Sequence, residues 1–347
     1  ELQEGNRSIF SRKLQELMTD RLNKGQQTIL FLNRRGYAGF VSCRSCGEVM
    51  KCPHCDVSLS EHKGGRLICH YCGYTQPMPK LCPKCGSKYI LGFKAGTQQI
   101  EEKLKELYPG VRTLRMDADT TRTKDSYEKI LSSFANGEAD VLIGTQMIVK
   151  GHDFPKVTLV GILAADLSLN ASDYRAGERT FQLLTQAVGR AGRGALPGEA
   201  VIQTYQPDHY AITCAAAQDY ESFYQEEILY RELSGYPPVA HMLAVQIYGK
   251  EEENAKQLAL RLTDVVKSNM DFLSGKQKEQ SNKKIQVLGP APANISKIND
   301  IYRYVFYVKH AEYDVLVEVK DRLEETLRQW QPRQMSIQFD FDPVSVL

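Results

Sequence analysis

Between residues 11 and 25 the chain reads SRKLQELMTDRLNKG, with apolar side chains at Leu14, Leu17, Met18 and Leu22. Spacings of three and four residues place them on one face of a helix, which Gly25 ends. The next run, QTILFLN, is apolar without interruption and predicts a strand buried on both faces. After a cysteine-rich stretch the two periods alternate. GTQQIEEKLKELYPG is an amphipathic helix stopped at Pro109, VRTLRMD a strand and KDSYEKILSSFANG a helix. ADVLIGT and KVTLVGILAAD are apolar strands, DYRAGERTFQLLTQAVGRAG is a helix leading into a turn, and GEAVIQTY is a strand. Strands alternating with helices predict a parallel sheet covered on both faces.

A helical stretch from Asp208 to Leu233 then reaches SGYPPVAH, whose glycine and paired prolines mark a boundary. Beyond it the order is strand (MLAVQIYG), helix (EEENAKQLALRLTDVVKSNM), strand into a Pro-rich turn (KIQVLGPAPA), strand (IYRYVFYVKH), helix (YDVLVEVKDRLEETLRQW) and strand (MSIQFDFDP). That βαββαβ order predicts an α+β ferredoxin-like domain with an antiparallel sheet. The expected organisation is an α/β lobe over 1–42 and 95–233, an inserted cysteine module over 43–94 and the ferredoxin-like domain over 234–347. The Lys-rich loop LSGKQKEQSNKK reads as a solvated connector.

Composition changes this picture little: 347 residues, 42% hydrophobic and 25% charged, suit two or three globular domains. A formal net charge of +2 means that any nucleic-acid binding must come from local patches. No apolar run approaches the roughly 18–20 residues of a membrane span, and the start has no signal-peptide pattern. A soluble, cytoplasmic protein with no membrane partner is therefore expected. The chain begins at Glu1, as expected for a piece of a longer protein.

Eight of the nine cysteines form four CxxC pairs, Cys43/Cys46, Cys52/Cys55, Cys69/Cys72 and Cys82/Cys85. Eight thiolates suffice for two closed tetrahedral zinc sites, and closed sites are structural because no coordination position is left for substrate. Thirteen residues separate the two inner pairs, a zinc-ribbon spacing, so Cys52, Cys55, Cys69 and Cys72 form one set. Cys43, Cys46, Cys82 and Cys85 then close a second site around it. The sequential alternative would join the first two pairs across only five residues. Iron–sulfur ligation and a zinc-dependent hydrolase are disfavoured by the glycine-containing knuckles and the closed count. From Cys43 to Lys94 eight Lys/Arg stand against three Asp/Glu, with Tyr71, Tyr74, Tyr89 and Phe93 interleaved. Basic charge with aromatics suits single-stranded or junction nucleic acid, or a protein partner.

Two loops carry the remaining chemistry. IGTQMIVKGHDFP runs off a strand end, where α/β sheets bind ligands, and QAVGRAGRG places Arg190 and Arg193 on a glycine-rich turn suited to phosphate. Together with FLNRRGY and GTQQIEEKL, they resemble motifs V, VI, IV and IVa of a superfamily 2 helicase, whose second lobe is RecA-like. The cysteine insert after FLNRRGYAGFV, with SGYPPVAHMLAV, GPAPANISKINDIYRY and DFDPVSVL, is similar to the PriA family of primosomal replication-restart helicases over essentially the whole chain.

The resemblance implies a bacterial, nucleoid-associated enzyme that uses ATP and Mg²⁺ to move 3′ to 5′ on single-stranded DNA. It implies recognition of forked DNA and contact with single-stranded-DNA-binding protein and with primosome and helicase-loading proteins. It implies that Arg190 and Arg193 act on the nucleotide phosphates, that Asp153, Gly151 and Gln186 belong to the nucleotide set, and that Gln186 couples the cleft to DNA. Arg34, Arg35, Thr145, Gln146 and Lys150 become candidates for the DNA backbone. Neither a GxxxxGK[ST] loop nor a DExH-type strand is present in these residues, so the N-terminal DNA-binding region and first helicase lobe are expected to lie elsewhere. Alone, the chain should not hydrolyse ATP. The alternative is a stand-alone zinc module, binding nucleic acid or protein, on an α/β scaffold; that scaffold has no physical need for paired arginines on a glycine turn.

Overall fold

The computed structural model of the protein describes residues 8–32, 41–43, 50, 53, 59–62, 65–68, 74–88, 90–92, 96–121, 123–149, 153–169, 174–204, 206–268 and 284–344. Helix α1 (Arg12–Asn23) leads into β1 (Gln27–Leu32). The cysteine-rich stretch holds five short strands, β2 (Val41–Cys43), β3 (Ser60–His62), β4 (Arg66–Ile68), β5 (Thr75–Pro77) and β6 (Ile90–Gly92). Then follow α2 (Thr97–Leu107), β7 (Thr113–Met116), α3 (Lys124–Ala135), β8 (Val141–Gly144), β9 (Val157–Leu163), α4 (Asp166–Leu169), α5 (Ala176–Val188), β10 (Glu199–Ile202), α6 (Tyr210–Ala217) and α7 (Tyr220–Ser234). The chain closes with β11 (His241–Gly249), α8 (Glu252–Ser268), β12 (Gln286–Ile298), β13 (Ile301–His310), α9 (Tyr313–Trp330) and β14 (Met335–Phe341).

The chain divides into two compact units, Glu1–Gly39 with Lys94–Glu227, and Phe40–Phe93 with Ile228–Leu347. In the first, five parallel strands are ordered β10-β9-β1-β8-β7. The strand β1 is buried along its length because successive side chains serve opposite cores. Leu30 and Leu32 join Leu14, Met18, Ile100 and Leu104 beneath α1 and α2, while Ile29 and Phe31 join Phe134, Phe181 and Leu184 beneath α3 and α5. Local signals start the helices: the Ser11 hydroxyl accepts from the Leu14 amide at 3.2 Å, and Thr123 caps α3 through the Ser126 amide. This is the RecA-like lobe expected from the sequence.

In the second unit β11–β14 form a fully antiparallel sheet ordered β12-β13-β11-β14, the ferredoxin-like arrangement. Leu243, Val245, Ile247, Phe306 and Val308 pack against Leu258, Leu262, Leu316 and Leu323 of α8 and α9. The cysteine-rich residues contribute the ladder β3-β4-β5 and the pair β2-β6. Their small core is Val41, Met50, Leu59, Leu67, Cys82 and Ile90.

Two stretches differ from the periodicity reading. The helical run from Asp208 to Leu233 is two helices, broken where Gln218 turns left-handed at φ 54°. The turn expected within GPAPA is strand: β12 continues to Ile298, with register shifts between Leu288 and Ala291 and between Pro292 and Lys297 that absorb the prolines at an edge.

Candidate functional site

The candidate site lies at the carboxyl edge of the parallel sheet. Strand β8 ends at Gly144, where a Cβ would stand 2.6 Å from both the Met116 carbonyl and Ile148 Cγ2. Only glycine lets the chain pass there. Thr145 and Gln146 follow, half-buried, in a 3-10 turn over Gln146–Val149 closed by the Ile148 amide on the Thr145 carbonyl at 3.1 Å. Phe154 is buried edge-on against Phe134, with ring centroids 5.0 Å apart, and anchors the segment that displays Asp153 to solvent.

The arginines arrive from α5. Phe181 of that helix stacks on Phe223 at 4.1 Å, and Arg175 grips Glu178 in the first turn through bonds of 3.0 and 2.7 Å. After Val188 the chain tightens over Gly189–Ala191, and the Gly192 amide donates to the Val157 carbonyl at 3.0 Å. Gly192 has φ +71°, and a Cβ there would lie 2.4 Å from the Gly198 nitrogen; one on Gly194 would lie 2.4 Å from the Pro155 carbonyl oxygen. The glycines therefore serve backbone-to-backbone docking, Gly192 onto Gly198 before β10 and Gly194 onto Pro155 between Asp153 and β9.

That docking brings Arg193 and Asp153 together across forty positions of sequence. Arg193 Nε donates to the Gly189 carbonyl at 2.8 Å, and its Nη1 lies 3.6 Å from Asp153 Oδ1, with the two side chains 40% and 63% exposed. At that exposure the pair orients the guanidinium more than it stabilises the fold. Arg190 is half-buried. Burial first, and then the charge of Arg193, lower its pKa, while Asp153 pulls it up. Asp153 is thus electrostatically close to both arginines. Gln186 is exposed on α5, one turn before Arg190. Arg34, Arg35, Lys150 and Gly151 lie outside the described residues.

At the same edge a cluster escaped the sequence reading. The Asp117 carboxylate, just past β7, accepts from the Thr97 hydroxyl at the start of α2 and from the Asp119 and Thr120 amides at 3.0 Å each, and forms an ion pair with the Arg115 guanidinium, whose Nε lies 3.0 Å away. Burial alone would raise its pKa, but Thr97, the two amides and the Arg115 charge outweigh burial and hold it below the ordinary carboxylate value. Thr121 returns a 2.6 Å bond to the Asp117 carbonyl and lies 3.8 Å from Met147 Sδ in the neighbouring 3-10 turn. The readable signal was DADTT after a strand, an aspartate with amides two and three residues on to accept from.

Of the eight paired cysteines, Cys82 and Cys85 are described with their side chains and Cys43 by its backbone, opposite Ile90. Cys46, Cys52, Cys55, Cys69 and Cys72 lie outside the described residues, as do Tyr71, Tyr89 and Phe93. Cys82–Gly86 forms a compact knuckle: the Gly86 amide donates to the Cys82 carbonyl at 2.9 Å, the Cys82 amide to the Ser87 carbonyl at 2.8 Å, and Gly86 has φ +69°. A left-handed glycine directly after the second cysteine closes a compact CxxC turn, a backbone shape that suits a thiolate-held metal. Among the described residues no helix is long and apolar enough to cross a membrane.

Residues 232–344 match the family described as Primosomal protein N C-terminal domain, 52–77 the PriA DNA helicase Cys-rich region domain, and 81–195 the Helicase conserved C-terminal domain. Replication restart protein PriA of Bacillus subtilis is 44% identical over 349 residues, covering 100% of this chain and 42% of its own length. The protein of the same name from Synechocystis sp. is 42% identical, covering 100% of this chain and 40% of its own length. That from Haemophilus influenzae is 36% identical over 94% of this chain and 42% of its own length. The chain thus spans about two fifths of the length of these curated relatives.

Proposed function

The chain belongs to the family of replication restart protein PriA, whose C-terminal portion it matches, and from that membership we propose that it supplies the arginine-bearing half of an ATP-dependent 3′ to 5′ DNA helicase motor. The observation that carries the reading is the placement of Arg193 beside Asp153 by a glycine turn at the carboxyl edge of a parallel sheet. ATP and Mg²⁺ would be held chiefly by a facing lobe, since these residues contain no phosphate-cradling GxxxxGK[ST] loop.

On this reading the Asp153 carboxylate holds Arg193 at the mouth of the cleft until a nucleotide offers a stronger anion. Arg193 then turns its Nη atoms from one carboxylate oxygen to the phosphate oxygens, where a guanidinium forms two parallel bonds. Arg190, less hydrated through its burial, adds a second positive charge that needs no reorganisation as negative charge builds on the departing phosphoryl group. Asp153, relieved of Arg193, is left to accept from the nucleotide sugar, and Gln186 to sense the cleft from α5. Thr145, Gln146, Arg34, Arg35 and Lys150 are assigned to the backbone of single-stranded or forked DNA, as chemistry that places chains rather than reads bases. Single-stranded-DNA-binding protein and helicase-loading proteins are the proposed protein partners.

The cysteine pairs are proposed to hold two structural zinc ions in the nested arrangement, where each ion ties together short strands that bury only a small core. Arg193→Ala in the full-length protein should lower DNA-stimulated ATP turnover by about 10³-fold or more while fork binding persists. Turnover within tenfold of wild type would end the arginine assignment. Metal analysis of the purified chain should return close to two zinc ions; one ion, or iron, would refute the nested pairing.

A further inference from the structure

The hairpin of β12 and β13 reaches from the ferredoxin-like domain to the cysteine-rich residues. Ile298 pairs with Ile301 across a two-residue turn in which Asn299 and Asp300 have φ of +50° and +61°. Positive φ at both central residues gives the tight, stiff hairpin whose twist matches its strands. Its tip therefore holds a fixed course. Ile298 packs on the core of Val41, Met50, Leu59, Leu67, Cys82 and Ile90, an apolar side chain lent by another domain to a core that is small among the described residues. Lys297 Nζ donates to the Pro53 carbonyl at 3.1 Å. The same ammonium lies 3.3 Å from Asp300 Oδ1 and 4.9 Å from the centre of the Tyr302 ring, and its side chain is only 18% exposed.

Pro53 stands between Cys52 and Cys55 in sequence. Four thiolates around one Zn²⁺ leave a net charge of −2, and the groups that surround such a site set how firmly it keeps its metal. The Lys297 ammonium on the carbonyl of Pro53, the residue directly after Cys52 in sequence, supplies opposite charge, and the partly buried Ile298 beside it adds apolar cover to the small core. We propose that Lys297 and Ile298 are positioning residues of the cysteine module, so that metal retention depends on a hairpin of the C-terminal domain. This rests on the reading of Cys52, Cys55, Cys69 and Cys72 as zinc ligands.

The test is the rate at which the purified, zinc-loaded chain surrenders metal to excess chromogenic chelator, compared among wild type, Lys297→Met, Ile298→Asp and Lys297→Arg. Lys297→Met and Ile298→Asp should release zinc about 10- to 100-fold faster, the range for groups that support a metal ligand, and Lys297→Arg should return towards wild type. Hydrogen exchange of β11 and β13 is followed in the same samples and should be unchanged. If wild type carries no zinc, the ligand reading itself fails. If wild type carries zinc and Lys297→Met and Ile298→Asp release it at the wild-type rate, the support role is overturned while the ligand reading stands. Faster release accompanied by loss of protection throughout β11 and β13 would equally overturn it, as a general loss of the domain.

Discussion

Gly198 has no room for a methyl group: a Cβ would sit 2.2 Å from the Gly192 nitrogen and 2.3 Å from the Ala191 carbonyl carbon. Both neighbours are backbone atoms and cannot rotate aside. Gly198→Ala should therefore cost about 1–3 kcal/mol of overpacking strain, read as a fall of a few degrees in the melting temperature of the parallel-sheet unit. It should also displace Arg190 and Arg193, whose turn rests on that contact, so nucleotide-dependent activity of the full-length protein should fall more than stability alone explains. At this scale the sequence was informative about residue types. Glycines around two arginines announced close backbone approach and phosphate chemistry. What it lacked was the partner: nothing local to QAVGRAGRG says that a carboxylate forty positions earlier faces Arg193, because that meeting is made by strand order and not by spacing.

The elements were legible where one period ran unbroken, as in β1, α5 and α9, and less so where a polar side chain redirects the chain. The break between α6 and α7 carries its own signal, since Asp219 accepts from the Ser222 amide at 3.0 Å and its hydroxyl at 2.6 Å and so starts a new helix. Apolar periodicity passes over such a cap because the residues around it, Ala215 and Phe223, are buried on both sides of the break. The Asp117 cluster was missed for a similar reason: a carboxylate bonding to its own turn leaves no mark on a hydrophobic pattern. It makes an acid-dependent contribution to stability. Because the folded-state pKa of Asp117 lies below its ordinary value, its stabilisation is present in full above about pH 4 and disappears as pH falls through the lowered value. Asp117→Asn should then lower stability at pH 7 by about 1–3 kcal/mol, and the gap from wild type should shrink steadily below pH 4 in parallel denaturant titrations.

For the whole molecule, chain order and spatial grouping disagree. Residues 40–93 are spliced into the parallel-sheet lobe by sequence, yet they share a compact unit with 228–347. No reading of periodicity could place Ile298 in a core whose other members end at Ile90. Removal of metal from the purified chain should accordingly raise hydrogen exchange in β3, β4 and β5 while leaving β1, β8 and β9 of the other unit protected. Equal deprotection of both sheets would mean that the units are one cooperative structure. The same hairpin imposes an order in time. Synthesis proceeds from the N-terminus at about 5–20 residues per second, so the tip at Lys297 and Ile298 is made some 10–40 s after the cysteine-rich residues are complete. For that interval the newborn module lacks the Ile298 side chain that packs on its described core.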